Sequence, residues 1–238
     1  MAFAILLLIA AAGTAWAART HPGLKPVAVV LLLAGGGIWG ARLVRGPQSP
    51  YMAVKAAQLD VLGERLADRV DEVAAENQGP VIVLVAVQPG PGSQEDHERV
   101  MRALRSRLRP REVVVEDLAA RAPGGWRMLA EESVLPRAVI EPALRGHGDA
   151  AAVLSLAGLP DPAALRAFGG PVVVYNPGGL EIVRPYLETG VIRTAVAPRP
   201  IPPDPDTFPA LRRDPGAMFQ AWYVEERAET APAPRGRP

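Results

Sequence analysis

Apolar and polar residues follow three different rhythms along the chain. Two nearly continuous apolar runs come first, Ala2–Ala18 and Val27–Ala41, parted by the polar turn RTHPGLKP. From Tyr51 to Asn77 apolar residues recur every three or four positions or at their sum, at Met52, Leu59, Leu62, Leu66, Val70 and Val73, while Lys55, Asp60, Glu64, Asp68 and Glu72 fill the other faces. That period is helical. It predicts one long amphipathic helix, stopped by Asn77-Gln78-Gly79-Pro80.

Beyond Gly79 the rhythm changes to short blocks of consecutive apolar residues. VIVLVAV (Val81–Val87), REVVVEDL (Arg111–Leu118), AAVLSLA (Ala151–Ala157), PVVVYN (Pro171–Asn176) and VIRTAVA (Val191–Ala197) predict five strands. Strands apolar at successive positions are covered on both faces, and the helical stretches between them make parallel crossovers. The expected fold class is therefore α/β: a three-layer, doubly wound, mostly parallel five-stranded sheet, preceded by a long amphipathic helix and an amino-terminal transmembrane hairpin. Pro136 and Pro142 break the second crossover, which is expected to hold two short helices around WRMLAEE and PRAVIEPALRG. PRPIPPDPDTFP is too rich in proline for regular structure, and Ala217–Glu226 is expected to return as an edge strand or a short helix.

The hairpin reading rests on length and context. Each run is slightly shorter than the ~20 residues that usually cross a bilayer core, though ~17 suffice. Both are uncharged and bordered by tryptophan, Trp16 and Trp39. The chain then divides into a membrane anchor at residues 1–46, a connecting helix at 51–78, an α/β domain at 79–228 and a disordered tail at 229–238. Two alternatives stay open: a signal peptide cleaved near Ala15-Trp16-Ala17, which lacks the usual basic residues before its apolar run, and a pair of core helices. Arg19 and Lys25 on the cytoplasmic side send everything after Arg45 outside, whereas Arg42 and Arg45 pull the other way. An inner-membrane protein with an extracytoplasmic domain is the preferred arrangement.

Charge and composition narrow the function classes. A net charge of +1 and 5% aromatic residues give neither the field nor the stacking surface for a nucleic-acid partner. With no cysteine, the chain has no disulfide, thiolate nucleophile, iron–sulfur cluster or cysteine zinc site. No cofactor is expected.

In open parallel sheets, ligands bind beyond the carboxyl ends of the strands. Three loops fall there, and they supply the candidate ligand-binding residues Gln88, Gly90, Gly92, Ser93, Gly158, Asp161, Asn176, Gly178 and Gly179. With strand order 2-1-3-4-5, the loops after the first and third strands meet at the switch point. Each loop also has a plain structural account: Ser93 with Asp96 as a near capping box, Asp161 before Pro162 as a helix cap, and Asn176-Pro177-Gly178-Gly179 as turn chemistry. No phosphate fingerprint of the GxGxxG or GxxxxGK[ST] type is present.

No catalytic or metal site is assigned. Ser93 and His97 stand four apart with Asp96 nearby, which a nucleophile and base would need, but capping explains Ser93. His147 and Asp149 make two metal ligands where three or four are needed, and Asp204 and Asp206 alternate with prolines without further ligand spacing. Arg99, Arg102, Arg105, Arg107, Arg109 and Arg111 make one helix end basic. They complement the helix dipole or meet anionic lipid or an acidic partner.

The succession GPVIVLVAVQPGPG, GDAAAVLSLAGLPD, GGPVVVYNPGG and ETGVIRTAVAPRP resembles one flavodoxin-like lobe of a periplasmic ligand-binding protein, over roughly Pro80 to Pro200. The resemblance implies an effector cleft at the strand ends, although that family closes two lobes on its ligand and one lobe is legible here. The expected function is a membrane-anchored, non-catalytic binding or assembly module that engages a small ligand or a protein partner. A hydrolase or transferase using the loop edge is the alternative, and a homo-oligomeric structural component is a third reading.

Overall fold

The computed structural model describes residues 50–109 and 111–228. The two apolar runs with their expected transmembrane hairpin, and the expected tail, lie outside the described residues. Among those described, no helix is long and apolar enough to cross a membrane.

The strands are β1 (Val81–Val85), β2 (Val113–Asp117), β3 (Ala152–Ser155), β4 (Val172–Tyr175), β5 (Thr194–Pro198) and β6 (Tyr223–Arg227). The helices are α1 (Pro50–Val73), α2 (Pro91–Arg107), α3 (Leu118–Arg121), α4 (Gly125–Glu131), α5 (Arg137–Leu144), α6 (Pro162–Phe168), α7 (Arg184–Glu188), α8 (Phe208–Leu211) and α9 (Pro215–Trp222). One sheet runs in the order β2-β1-β3-β4-β5-β6. Its first five strands are parallel, in the order 2-1-3-4-5. The sixth strand corrects the expected count of five: β6 lies antiparallel to β5, with Glu225 opposite Val196. The segment that was to be a strand or a helix is both, because α9 runs directly into β6.

Every residue of β1 and β3 is buried, which is why these blocks are apolar without alternation. Ile82, Leu84, Val153 and Val174 point into a core covered by α3 to α7. Val81, Val83, Val85 and Leu154 point the other way, into a core covered by α1, α2 and α9. The second crossover holds three short helices rather than two. The Asp117 carboxylate accepts a bond from the Ala119 amide at 2.9 Å and so starts the additional turn, α3, directly off β2.

The buried side of α1 carries Val54, Leu62, Leu66, Ala67 and Val70. Met52, expected on the apolar stripe, is 49% exposed, so the stripe begins at Val54. Four ion pairs join α1 to α2 and the turn after it: Lys55–Asp96, Asp60–Arg99, Asp68–Arg107 and Asp71–Arg111. The pairs rise together along both helices, so α1 and α2 run in the same direction. Because α2 leaves the carboxyl end of β1, Lys55 of α1, paired with Asp96, also lies toward the carboxyl edge of the sheet.

A charged cluster fastens β6 to α1. Glu225 meets Arg65 at 2.9 Å and Arg69 at 2.7 Å, and Arg227 reaches Glu72 at 3.0 Å. The contact between Arg69 Nε and Glu225 lies off the line of its N–H and is ionic rather than an aligned hydrogen bond. Gln58 Nε2 donates to the Tyr223 hydroxyl at 3.0 Å, and Tyr223 packs edge-on against Tyr175.

Candidate functional site

The loops after β1, β3 and β4 all lie at the carboxyl edge, as the parallel order requires. Two of them touch. Ser155, the fully buried last residue of β3, donates its hydroxyl to the Gly158 carbonyl at 2.6 Å and closes the loop on itself. Gly158 has φ +107, a conformation that costs a residue with a side chain, and a β-carbon placed there would stand 3.5 Å from Asn176 Oδ1. Asn176 is 4% exposed, and its Nδ2 donates to the Gly179 carbonyl at 2.5 Å. Asn176 Oδ1 has no protein partner among the described residues, so an amide acceptor is left open beside the backbone of Gly158.

The remaining candidates sit around this pair. Asp161 caps α6, accepting from the amides of Ala163 at 2.9 Å and Ala164 at 3.0 Å. Its carboxylate fills the position that an anion would take at that helix start. A β-carbon on Gly178 would stand 3.6 Å from Asn176 Nδ2, and Gly179 has φ +98, which fits the expected turn chemistry. Gln88 and Gly90 lie in the first loop and Gly92 in the first turn of α2 that follows it; both glycines are exposed, and neither has a neighbour within 4 Å of its β-carbon position. The structure thus joins the loops after β3 and β4 through Gly158 and Asn176, while the loop after β1 stands open to solvent.

Ser93 is not a cap. Gly90, with φ 145, takes the cap position of α2 and Pro91 follows it, so Ser93 lies inside the first turn. The Ser93, Asp96 and His97 grouping is also dispersed: Asp96 pairs with Lys55 at 2.5 Å, and no hydrogen bond joins Ser93 to His97. Burial lowers the His97 pKa below its ordinary value, Asp117 and Glu98 act against this, and Arg105 acts with it. Tyr175, just before Asn176, has its phenol pushed up by burial and stays neutral.

The other expected groupings also have structural partners. His147 Nε2 lies 2.9 Å from Glu116 Oε1, and Arg121 contacts the other oxygen of that carboxylate. Burial pushes the Glu116 pKa up, but the bonds from His147 and Arg121 outweigh it and hold the carboxyl below its usual range. Asp204 accepts from the Asp206 amide at 3.0 Å and caps a short 3₁₀ turn, Pro205–Thr207. Among the described residues, no group of three or more His, Cys, Asp or Glu is placed to hold a metal ion.

Sequence reasoning missed Ser155. Its one signal was a single polar residue in the apolar block AAVLSLA. It also missed a groove of about 800 Å³ at the opposite, amino edge of the sheet, between Glu72 and Glu76 at the end of α1, Arg166, and Arg193 before β5. Those residues are far apart in sequence and carry no shared motif.

No family model matches the chain, and no curated protein matches it. Solved structures to which it is similar include AraP, an arabinose-binding protein from Geobacillus stearothermophilus, at 12% identity and TM-score 0.42, over 58% of this chain and 45% of that one. GanP, a glucose-galactose binding protein from the same organism, is 10% identical with TM-score 0.45, over 73% of this chain and 61% of that one. An ABC transporter solute-binding protein from Agrobacterium vitis is 15% identical with TM-score 0.42, over 68% and 50%. The chain therefore spans between 45% and 61% of the length of these three neighbours.

Proposed function

We propose that this chain is a membrane-anchored, non-catalytic binding or assembly module whose α/β domain stands on the extracytoplasmic side. The observation that carries the binding reading is the approach of Asn176 to Gly158 at the carboxyl edge: an open amide acceptor beside the Gly158 backbone, where the one neighbouring hydroxyl, that of Ser155, is buried and spent on the Gly158 carbonyl. Such a site recognises hydrogen-bond donors on a neutral ligand or on a partner's backbone rather than moving protons. The uncharged runs Ala2–Ala18 and Val27–Ala41 support the anchor.

Thermal unfolding of the full chain in detergent, followed by tryptophan fluorescence against sugars, amino acids and nucleotides, tests the binding reading. A ligand at ~100 times its dissociation constant adds ~2.7 kcal/mol to the native state. That shift should vanish in Asn176→Ala; a shift that survives it, or turnover of any compound, overturns the reading. A flat panel leaves a protein partner as the ligand. Release of the chain from membranes by alkaline carbonate would remove the anchor, and protection of the domain from protease in intact spheroplasts would remove the extracytoplasmic placement.

A further inference from the structure

The arginines of α2 and the turn after it form two rows with different fates. Arg99, Arg107 and Arg111 each bind an aspartate of α1. Arg102, Arg105 and Arg109 face the other way and have no ion pair or hydrogen bond among the described residues. They line a groove of about 540 Å³ between α2 and β2, floored by Met101 and Val115, with His97 at one end. Glu98 is the one carboxylate in the groove, and it accepts a bond from Gln94 at 3.4 Å.

Among the described residues, β2 is the outer strand of the sheet on this side and pairs only with β1, so no described segment pairs with its outer backbone edge. The opposite outer strand, β6, has its charged side chains closed by ion pairs: Glu225 with Arg65 and Arg69, Glu226 with Arg184, and Arg227 with Glu72. Among the described residues, nothing comparable engages the three arginines beside β2. An open strand edge offers hydrogen bonds to any extended chain, and its neighbours decide which chain is accepted.

We propose that the β2 edge, with Arg102, Arg105 and Arg109, is a docking site for an extended acidic segment of a partner protein, which adds to the sheet as a seventh strand. The arginine row spans about 10 Å along the helix direction. An added strand presents every second side chain to that face, ~6.7 Å apart, so two or three alternating carboxylates reach the row. Charge rules out a second copy of this chain as the occupant, since pairing β2 with β2 brings two arginine rows together. The proposal is separate from the carboxyl-edge site, and failure of either leaves the other standing.

The test uses the full chain in neutral detergent at low salt with a fluorescein-labelled peptide, EVEVEVE, followed by anisotropy. Two controls accompany it: EPEPEPE, which keeps the charge but lacks alternate amides, and vesicles of phosphatidylcholine with phosphatidylglycerol. EVEVEVE should bind, EPEPEPE should not, and R102E/R105E/R109E should weaken binding by about tenfold or more. Hydrogen exchange in the unaltered chain should slow across 113–117 on peptide addition, a readout that survives any folding defect in the variant. Absence of binding, equal binding of the two peptides, unchanged exchange in β2, or capture by the vesicles in place of the peptide overturns the proposal.

Discussion

A β-carbon placed on Gly63 of α1 would stand 2.8 Å from the β-carbon of Ala103 and 2.5 Å from the carbonyl oxygen of Val100, both on α2. The two helices meet there because position 63 has no side chain. Gly63→Ala gains about 1 kcal/mol of helix propensity but forces the helices apart, which typically costs ~1–3 kcal/mol. Because the nearer obstacle is backbone, it cannot rotate away. Urea denaturation should show a net loss for Gly63→Ala, a larger one for Gly63→Val, and incomplete rescue by Ala103→Gly. An unchanged or raised midpoint for Gly63→Ala would mean that the helices do not cross at this point.

The two arginine rows should separate in stability as they do in structure. Arg111 donates to Asp71 Oδ1 at 2.9 Å, to the Asn77 carbonyl at 2.5 Å and to the Ala74 carbonyl at 3.0 Å, so it closes the carboxyl end of α1. Arg111→Ala should cost about 2 kcal/mol, in the range of hydrogen bonds to charged groups. Arg102→Ala and Arg105→Ala should stay within ~0.5 kcal/mol, as surface changes do. Equal losses at Arg111 and Arg102, measured by chemical denaturation, would contradict the division.

The parallel sheet was legible because its code is local and redundant: blocks such as VIVLV and VVVY carry their burial in consecutive residues. The cap at Asp161 was legible for the same reason, since cap and proline are adjacent. Gly63 and the destinations of the arginines were not, because each depends on which helix lies alongside, and one sequence does not record that neighbour. The Tyr223–Arg227 strand lay between. Its residues suit an edge, but its antiparallel place beside β5 is fixed by long-range contacts such as Arg65 with Glu225. At the candidate site, Asn176 and Gly158 were found by loop position, whereas their closeness to each other required the fold.

Glu225 should make stability depend on acid. Burial pushes its pKa up, but hydrogen bonds from Arg227 and Arg65 and the charge of Arg69 outweigh this and hold it below the usual range. A carboxyl with a depressed folded-state pKa contributes stability that is fully present above the unfolded value, about 4.3, and is lost as pH falls through the folded value. Glu226, held low chiefly by its hydrogen bond from Arg184, acts in the same direction. Midpoints recorded down from neutral pH should therefore decline below about pH 4.3. Glu225→Gln should flatten that decline. Glu225→Ala, which leaves the buried Arg69 without this carboxylate, should cost ~3 kcal/mol at neutral pH. A wild-type midpoint that rises on acidification would reverse the sign of this account.

The carboxyl edge separates groups that build the loops from groups left open, and substitutions should tell them apart. Ser155→Ala removes the donor to the Gly158 carbonyl from a fully buried position, and an abandoned acceptor of this kind costs ~1–3 kcal/mol. Gly158→Ala should cost a similar ~1–3 kcal/mol, because φ +107 is strained for alanine. Asn176→Asp keeps the acceptor facing Gly158 but replaces the Nδ2 donor to Gly179 with an oxygen facing a carbonyl. It should therefore destabilise the turn more than Asn176→Ala does. Gly92→Ala, in open space with no neighbour within 4 Å, should leave the denaturation midpoint nearly unchanged or slightly raised by the gain in helix propensity. If Gly92→Ala proved as damaging as Gly158→Ala, the first turn of α2 would have to be packed against the rest of the edge, and the open surface assigned to it would be lost.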